Sequence, residues 1–346
     1  MQARLIFKDG TEMKGESFGY EKSVAGEIVF TTGMVGYPES LTDPSYQGQI
    51  LVFTYPLIGN YGVCDKNFWE SDSIKTSGII VSSYNKTPSH FSSRKSLGQW
   101  LKEEKIPGLV ISDTRFLTKK IRMEGAMLAK IVFGDNNLDF YDPNIDNLVA
   151  RVSTKKTIHF PDYKGRPCVV IVDCGLKRNI LRCLLQRKIN VIVIPWDCDP
   201  IAEKIKFDGI VISNGPGDPK VVKETIKNVE KIVNKKIPVL GICLGNQILA
   251  LAAGGDTYKL KFGHRGQNQP CLEVGSNRCF LTTQNHGFAI GKLPKGFKPW
   301  FINGNDGTNE GIRHEKYPFM SVQFHPEASP GPTDTEWVFD EFLDRV

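Results

Sequence analysis

No stretch of this chain approaches the roughly 18 consecutive apolar residues that a membrane span needs. The first ten residues, Met1 to Gly10, lack the apolar length of a secretory signal and run straight into strand-like sequence. None of the eight cysteines forms a C-x-x-C pair, so neither a zinc knuckle nor a redox dithiol is suggested. Most stand in or beside apolar runs, as reduced, buried thiols do. With no signal present, that implies a reducing compartment, the cytoplasm, although a trimmed mitochondrial leader would leave no trace. Long blocks of one charge are also missing. The net charge of +6 is spread along the chain, and pairs such as Lys119-Lys120 and Lys155-Lys156 read as solvated faces, not as a nucleic-acid footprint. There is no internal repeat and no Gly-x-x-x-x-Gly-Lys-Ser/Thr phosphate loop. What is left is an ordinary globular composition, 40% hydrophobic and 24% charged, in a length of 346 residues that suits two domains.

The pattern changes character along the chain. In residues 1–150, Ala3–Phe7, Gly26–Thr32, Gln49–Tyr55 and Ser77–Ser83 read as strands separated by Gly, Pro and Asp turns. Ser96–Lys105 and Asp113–Arg122 read as helices, the second capped by Asp113 or Thr114. This predicts a β-rich α+β domain. Residues 151–166 carry Pro161, Gly165 and lysines with little periodicity, and read as a linker. From Pro167 to Val346, short apolar runs at 169–173, 191–194, 209–213 and 239–242 alternate with helical patterns at 177–186 and 219–234. Buried strands alternating with helices predict a doubly wound, mostly parallel α/β sheet, whose chemistry gathers at the carboxyl ends of its strands.

At one such end stands Gly241-Ile-Cys-Leu-Gly245, the thiol form of the G-x-S-x-G nucleophile elbow, followed by a helical run over 247–253. The helix N-terminus places partial positive charge beside Cys243, which favours a thiolate. The plain alternative is a small buried hydrophobe. Gly15-Glu-Ser-Phe-Gly19 has the same spacing, but no apolar strand enters it and no helix leaves it, so it reads as a chance match. A thiol nucleophile needs a base, and the base needs an orienting group. His90 and His159 fall outside the predicted sheet, His264 and His286 lie in turn-rich surroundings, and His314 is among charges. His325 stands apart. Met320–Phe324 reads as an alternating strand that delivers His325-Pro-Glu327, and residues two apart in extended chain share a side. His-x-Glu also opens a zinc-deaminase signature, but no Pro-Cys-x-x-Cys follows it, so no metal is expected.

Gly241–Gln247 together with Phe324-His-Pro-Glu327 resembles the triad-type glutamine amidotransferases. Residues 25–46, Gly263–Pro270 and Gln284–Phe288 narrow that resemblance to the glutaminase part of carbamoyl phosphate synthetase. The resemblance implies that Cys243 attacks the carboxamide of L-glutamine, that His325 serves as acid and base, and that Glu327 orients it. It implies an oxyanion site from the N–H groups of Leu244 and Gly215. It assigns the body of the glutamine to Ser45, Gly217, Gln247, Asn285, Gly287 and Phe288, near a domain interface. It implies no cofactor in this chain, with ATP and Mg on a large synthetase subunit or fused synthetase domain that receives the ammonia, and no nucleic-acid or membrane partner. The amino-terminal domain would supply docking surface. Some relatives carry serine at the nucleophile position, whereas this chain has Cys243. The competing readings are a different Cys-His hydrolase, such as a peptidase, and a non-catalytic scaffold subunit.

Overall fold

The computed structural model describes residues 1–136 and 138–346, and these form two units, Met1–Asp146 and Asn147–Val346. In the first, strands β1 (Gln2–Phe7), β2 (Glu12–Ser17), β3 (Val24–Thr31), β4 (Gln49–Phe53), β5 (Gly78–Val81), β6 (Gly108–Val110) and β7 (Met127–Phe133) close into a barrel of order β1-β2-β6-β5-β4-β3-β7. Pairing is parallel from β3 through β4 and β5 to β6, and antiparallel elsewhere. The parallel strands are buried on both faces, which is why they read as continuous apolar runs. Val29, Leu51, Phe53, Ile79 and Val81 join Tyr37, Leu41 and the Trp69–Trp100 pair in one cluster. Their alternate neighbours Ile28, Ile50, Val52 and Ile80 are also fully buried and, with a period of two, point the other way. Three helices attend the barrel: α1 (Tyr37–Thr42), α2 (Leu97–Glu103) and α3 (Thr114–Glu124). Ser96 accepts from the Gln99 N–H and caps α2, and Asp113, one of the two cap candidates read from the sequence for α3, accepts from the Phe116 N–H. Gly15 and Ser17 lie inside β2, an antiparallel strand with no elbow.

The second unit contains α4 (Val149–Val152), β8 (Ile158–His159), β9 (Cys168–Asp173), α5 (Arg178–Gln186), β10 (Asn190–Pro195), β11 (Gly209–Ile212), α6 (Lys223–Asn234), β12 (Val239–Ile242) and α7 (Leu244–Ala252). These are followed by β13 (Asp256–Glu273), β14 (Cys279–Lys292), β15 (Phe297–Asn303), β16 (Asn309–His314), β17 (Phe319–Val322) and α8 (Trp337–Leu343). The ten-stranded sheet has the order β14-β13-β15-β16-β17-β12-β11-β9-β10-β8. Its centre, β17 through β12, β11 and β9 to β10, is parallel, as the alternating pattern predicts. Apolar clusters lie on both sides, one around Val169, Ile171, Leu240 and Met320, the other around Val170, Ile212, Ile248 and Phe319.

Several expectations need correction. The boundary falls after Asp146, not after residue 150, and residues 151–166 are not a linker: they belong to the second unit. Ile158 and His159 pair with Val193 and Ile192 on β10, which also puts His159 on the sheet. The segment is held by single polar contacts, Thr154 N–H to Asp173 Oδ2 at 2.7 Å and Trp196 N–H to Ser153 Oγ at 3.1 Å, which leave no periodic apolar signal. His264 and His286 face each other across the paired β13 and β14, whose register shifts disguise the strand period. β17 does not alternate. It lies between β12 and β16 and is buried at every position, Ser321 included.

Candidate active site

The chain enters the site along β12 and leaves it along α7, with Cys243 on the turn at φ 54° and ψ −102°. The residue in the strained backbone region is thus the cysteine itself. The flanking glycines serve close approach. A Cβ on Gly241 would lie 2.4 Å from the Gly245 carbonyl oxygen, and one on Gly245 would lie 2.1 Å from that of Ile212. Helix α7 therefore begins pressed against β11 and β12, directly beside the thiol, at the position that lends it the positive end of the helix dipole. The Cys243 Sγ is 2% exposed and lies 3.7 Å from the Asn285 carbonyl oxygen.

His325 follows β17, with its N–H on the Thr283 carbonyl at 2.9 Å. Its Nδ1 donates to Glu327 Oε1 at 2.7 Å, and its Nε2 has no hydrogen-bond partner among the described residues. Glu327 Oε1 also takes Lys177 Nζ at 2.9 Å, with both side chains no more than 2% exposed. Burial would raise the Glu327 carboxyl, but Lys177 and then His325 outweigh it and hold the group at about 2. Burial would depress His325, and Lys177 opposes its charging as well. Glu327 and the nearby Cys243 sulfur overcome both, and the imidazole is raised to about 10. A charged Lys177–Glu327–His325 row thus ends on an unpartnered ring nitrogen that faces the thiol's surroundings.

The other expected residues mostly collect here. Gln247 Nε2 donates to the Phe288 carbonyl at 2.8 Å, and Asn285 and Gly287 lie on the same β14 segment as Phe288. Gly215 touches the first residue of α7: a Cβ there would come within 2.8 Å of Leu244 Cδ2 and 2.0 Å of the Cys174 carbonyl oxygen. Gly217 adopts φ +84° in the same loop. Ser45 belongs to the first unit, in a short turn where its N–H donates to Asp43 Oδ1 at 2.9 Å.

Sequence reasoning missed Lys177, Asn179 and Gln323. Lys177 follows the carboxyl end of β9, and its Nζ also donates to the Ala328 carbonyl. Asn179 Nδ2 donates to the Glu327 carbonyl. A lysine at the carboxyl end of a buried strand, the zone that also holds Cys243, was the available signal. Gln323 Nε2 lies 3.7 Å from the Cys243 sulfur.

His264, His286 and Glu310 bring ligand-type atoms within 4.8 Å of one another, with no metal predicted. Their nitrogens already serve the protein. His264 bridges Glu310 at 3.1 Å and Asp306 at 2.9 Å, and His286 Nδ1 meets the Phe288 carbonyl at 2.9 Å. Burial would lower His264 and is outweighed by Glu310, whereas burial drives His286 well down and keeps it neutral. The cluster reads as a buried ion pair bracing the β14 strand.

A cysteine on a strand–helix elbow, with a His–Glu pair at the carboxyl end of the next strand, defines a thiol-dependent hydrolase or transferase on a doubly wound sheet. Comparison with known proteins makes this specific. Residues 170–345 match the class-I glutamine amidotransferase family, and residues 5–131 match the CPSase domain of the carbamoyl-phosphate synthase small chain. The chain belongs to the class-I glutamine amidotransferases, with a carbamoyl-phosphate synthase small-chain domain ahead of the amidotransferase domain. The mitochondrial carbamoyl-phosphate synthase (ammonia) of Mus musculus is 50% identical over 357 residues, spanning 99% of this chain and 24% of that one. Multifunctional protein pyr1-3 of Dictyostelium discoideum is 50% identical over 373 residues, spanning 99% of this chain and 17% of that one. The chain thus spans about a quarter or less of these relatives. A glutamine amidotransferase from Thermotoga maritima superposes with TM-score 0.40 at 21% identity over 51% of this chain and 83% of that one. The fold assignment rests on the strand order, not on that overlap. Among the described residues no helix is long and apolar enough to cross a membrane.

Proposed function

We propose that this chain hydrolyses L-glutamine and passes the ammonia to a carbamoyl-phosphate-forming synthetase, either a separate large subunit or a domain fused to it. The observation that carries the reading is the row Lys177–Glu327–His325 ending beside Cys243 on its strained elbow. In this reading the Cys243 thiolate forms an S–C bond to the glutamine side-chain carbon. The C–N bond breaks as His325 gives its Nε2 proton to the departing ammonia. His325 then takes a proton from water, the resulting hydroxide cleaves the thioester, and glutamate leaves as the thiolate is restored. Glu327, held ionised by Lys177, keeps the ring oriented and charged when it carries the proton. The N–H groups of Leu244 and Gly215 would face the oxyanion. Gln247, Asn285, Gly287, Phe288, Gly217 and, from the first unit, Ser45 would hold the substrate. ATP and Mg would act on the synthetase. The first unit would carry docking surface, and the assembly would work in the cytoplasm or in mitochondria.

The test is glutamate release from glutamine by this chain and by Cys243→Ser, each alone and with the large chain of a carbamoyl-phosphate synthase. Release that requires Cys243 and rises with the partner is expected. Silence of the wild-type chain beside a competent partner would overturn the glutaminase in favour of a scaffold, and peptide cleavage would favour the other hydrolase.

A further inference from the structure

Gln323 directly follows β17, and it is fully buried. Its amide orientation is fixed by its neighbours. Oε1 accepts from Asn246 Nδ2 at 3.0 Å and from Gln247 Nε2 at 3.1 Å. Asn246 Oδ1 in turn accepts from Ser321 Oγ at 2.7 Å. Gln247 is fixed because its Nε2 also donates to the Phe288 carbonyl at 2.8 Å. With both neighbours presenting N–H groups, the Gln323 oxygen must face them and its NH2 must face Cys243 Sγ, 3.7 Å away.

We propose that Gln323 is a catalytic residue that donates an amide N–H to the Cys243 sulfur and stabilises its negative charge. This deepens the proposed function, on which it rests, by naming what holds the nucleophile. The Asn285 carbonyl, 3.7 Å from the sulfur, can accept from a thiol but repels a thiolate. The Gln323 N–H offsets that repulsion, alongside the positive imidazole of His325. The charged groups beyond are His325, then Glu327 and Lys177 behind it. The Gln323 amide is neutral and therefore stabilises charge on sulfur without disturbing that row. A hydrogen bond to an ionised partner is worth more than one between neutral groups, so the donor favours the charged sulfur over the thiol.

The experiment measures alkylation of Cys243 by iodoacetamide across a pH series in the full chain, read on the Cys243 peptide by mass spectrometry. It needs no glutamine turnover, so loss of this inference and loss of the glutaminase reading are separable. Gln323→Glu keeps an acceptor for both neighbouring amides and replaces the N–H by oxygen. It is expected to slow alkylation at neutral pH about tenfold, equivalent to about 1.4 kcal/mol, and to move half-maximal reactivity to higher pH. Gln323→Met keeps bulk without a donor and is expected to slow it by about threefold or more. Folded variants that react within about twofold of wild type, with an unmoved pH profile, would overturn the proposal. If neither variant folds, Gln247→Met decides. It removes the donor, held by the Phe288 carbonyl, that locks the Gln323 oxygen, and it is expected to slow alkylation severalfold, an unchanged rate again being the refuting result.

Discussion

Replacing Lys177 by methionine keeps the length and bulk of the side chain and removes only its charge. Lys177 and Glu327 are no more than 2% exposed, and their 2.9 Å contact leaves no room for water to take the ammonium's place. The carboxylate would be left with His325 on Oε1, while its Oε2 has no hydrogen-bond partner among the described residues even in the wild type. Removing one partner of a buried pair costs about 3–5 kcal/mol, and because His325 stays on the carboxylate Lys177→Met should lie toward the lower end of that range. The double variant Lys177→Met/Glu327→Gln leaves no uncompensated charge, so its cost should fall short of the summed singles by about 2 kcal/mol or more. The pH dependence is linked to the same contact. The Glu327 carboxyl lies at about 2 in the folded chain against an ordinary 4.5, so its contribution is complete above pH 4.5 and is lost as pH falls toward 2. Lys177 is the largest cause of that depression, so in Lys177→Met the group rises and the acid limb of the stability curve flattens. Urea unfolding read by hydrogen exchange in β9 and α5 peptides isolates the second unit from the barrel. A cost under about 1 kcal/mol, additive with Glu327→Gln, would refute the buried row as the support of His325.

The elbow and the loop after β11 yield three further predictions. Cys243→Gly should be more stable than Cys243→Ala by about 1 kcal/mol in urea unfolding, because φ 54° with ψ −102° strains any residue with a Cβ. Gly245→Ala should cost more than about 3 kcal/mol or yield no soluble protein, since its Cβ would lie 2.1 Å from the Ile212 oxygen. Gly217→Ala, which would meet only Leu148 at 3.7 Å and beyond, should cost about 1 kcal/mol from its positive φ alone.

The parallel half of the sheet was legible because strands buried on both faces leave apolar runs, and turn residues punctuate them. Helix α2 was legible from its helical pattern and α3 also from its Asp113 cap. The antiparallel wing was not. Strands β13 and β14 carry register shifts after Asp256, Lys259 and Gly266, and each shift moves later side chains to the other face, so no single period survives. Barrel closure was equally invisible, since it depends on β1 pairing with β7 across the length of the unit, from Ala3 with Phe133 to Phe7 with Ala129. Cys243, His325 and Glu327 were legible because each sits in a short local pattern. Lys177 was not, because what makes it functional is a partner at the far end of the unit.

Gln323 and Ser321 show the same limit from another side. Fully buried polar groups are tolerated only where partners satisfy them, since an orphaned one costs about 1–3 kcal/mol. Here Ser321, Asn246, Gln323 and Gln247 satisfy one another in a chain that ends on the nucleophile sulfur and on the Phe288 carbonyl. Apolar residues of similar size would fill the same space without that interdependence. A polar chain is therefore justified by what lies at its ends: it sets two amide orientations and aims one of them at Cys243. In sequence, Ser321 and Gln323 read as the polar face of an alternating strand, so both their burial and the direction in which each amide points required the fold.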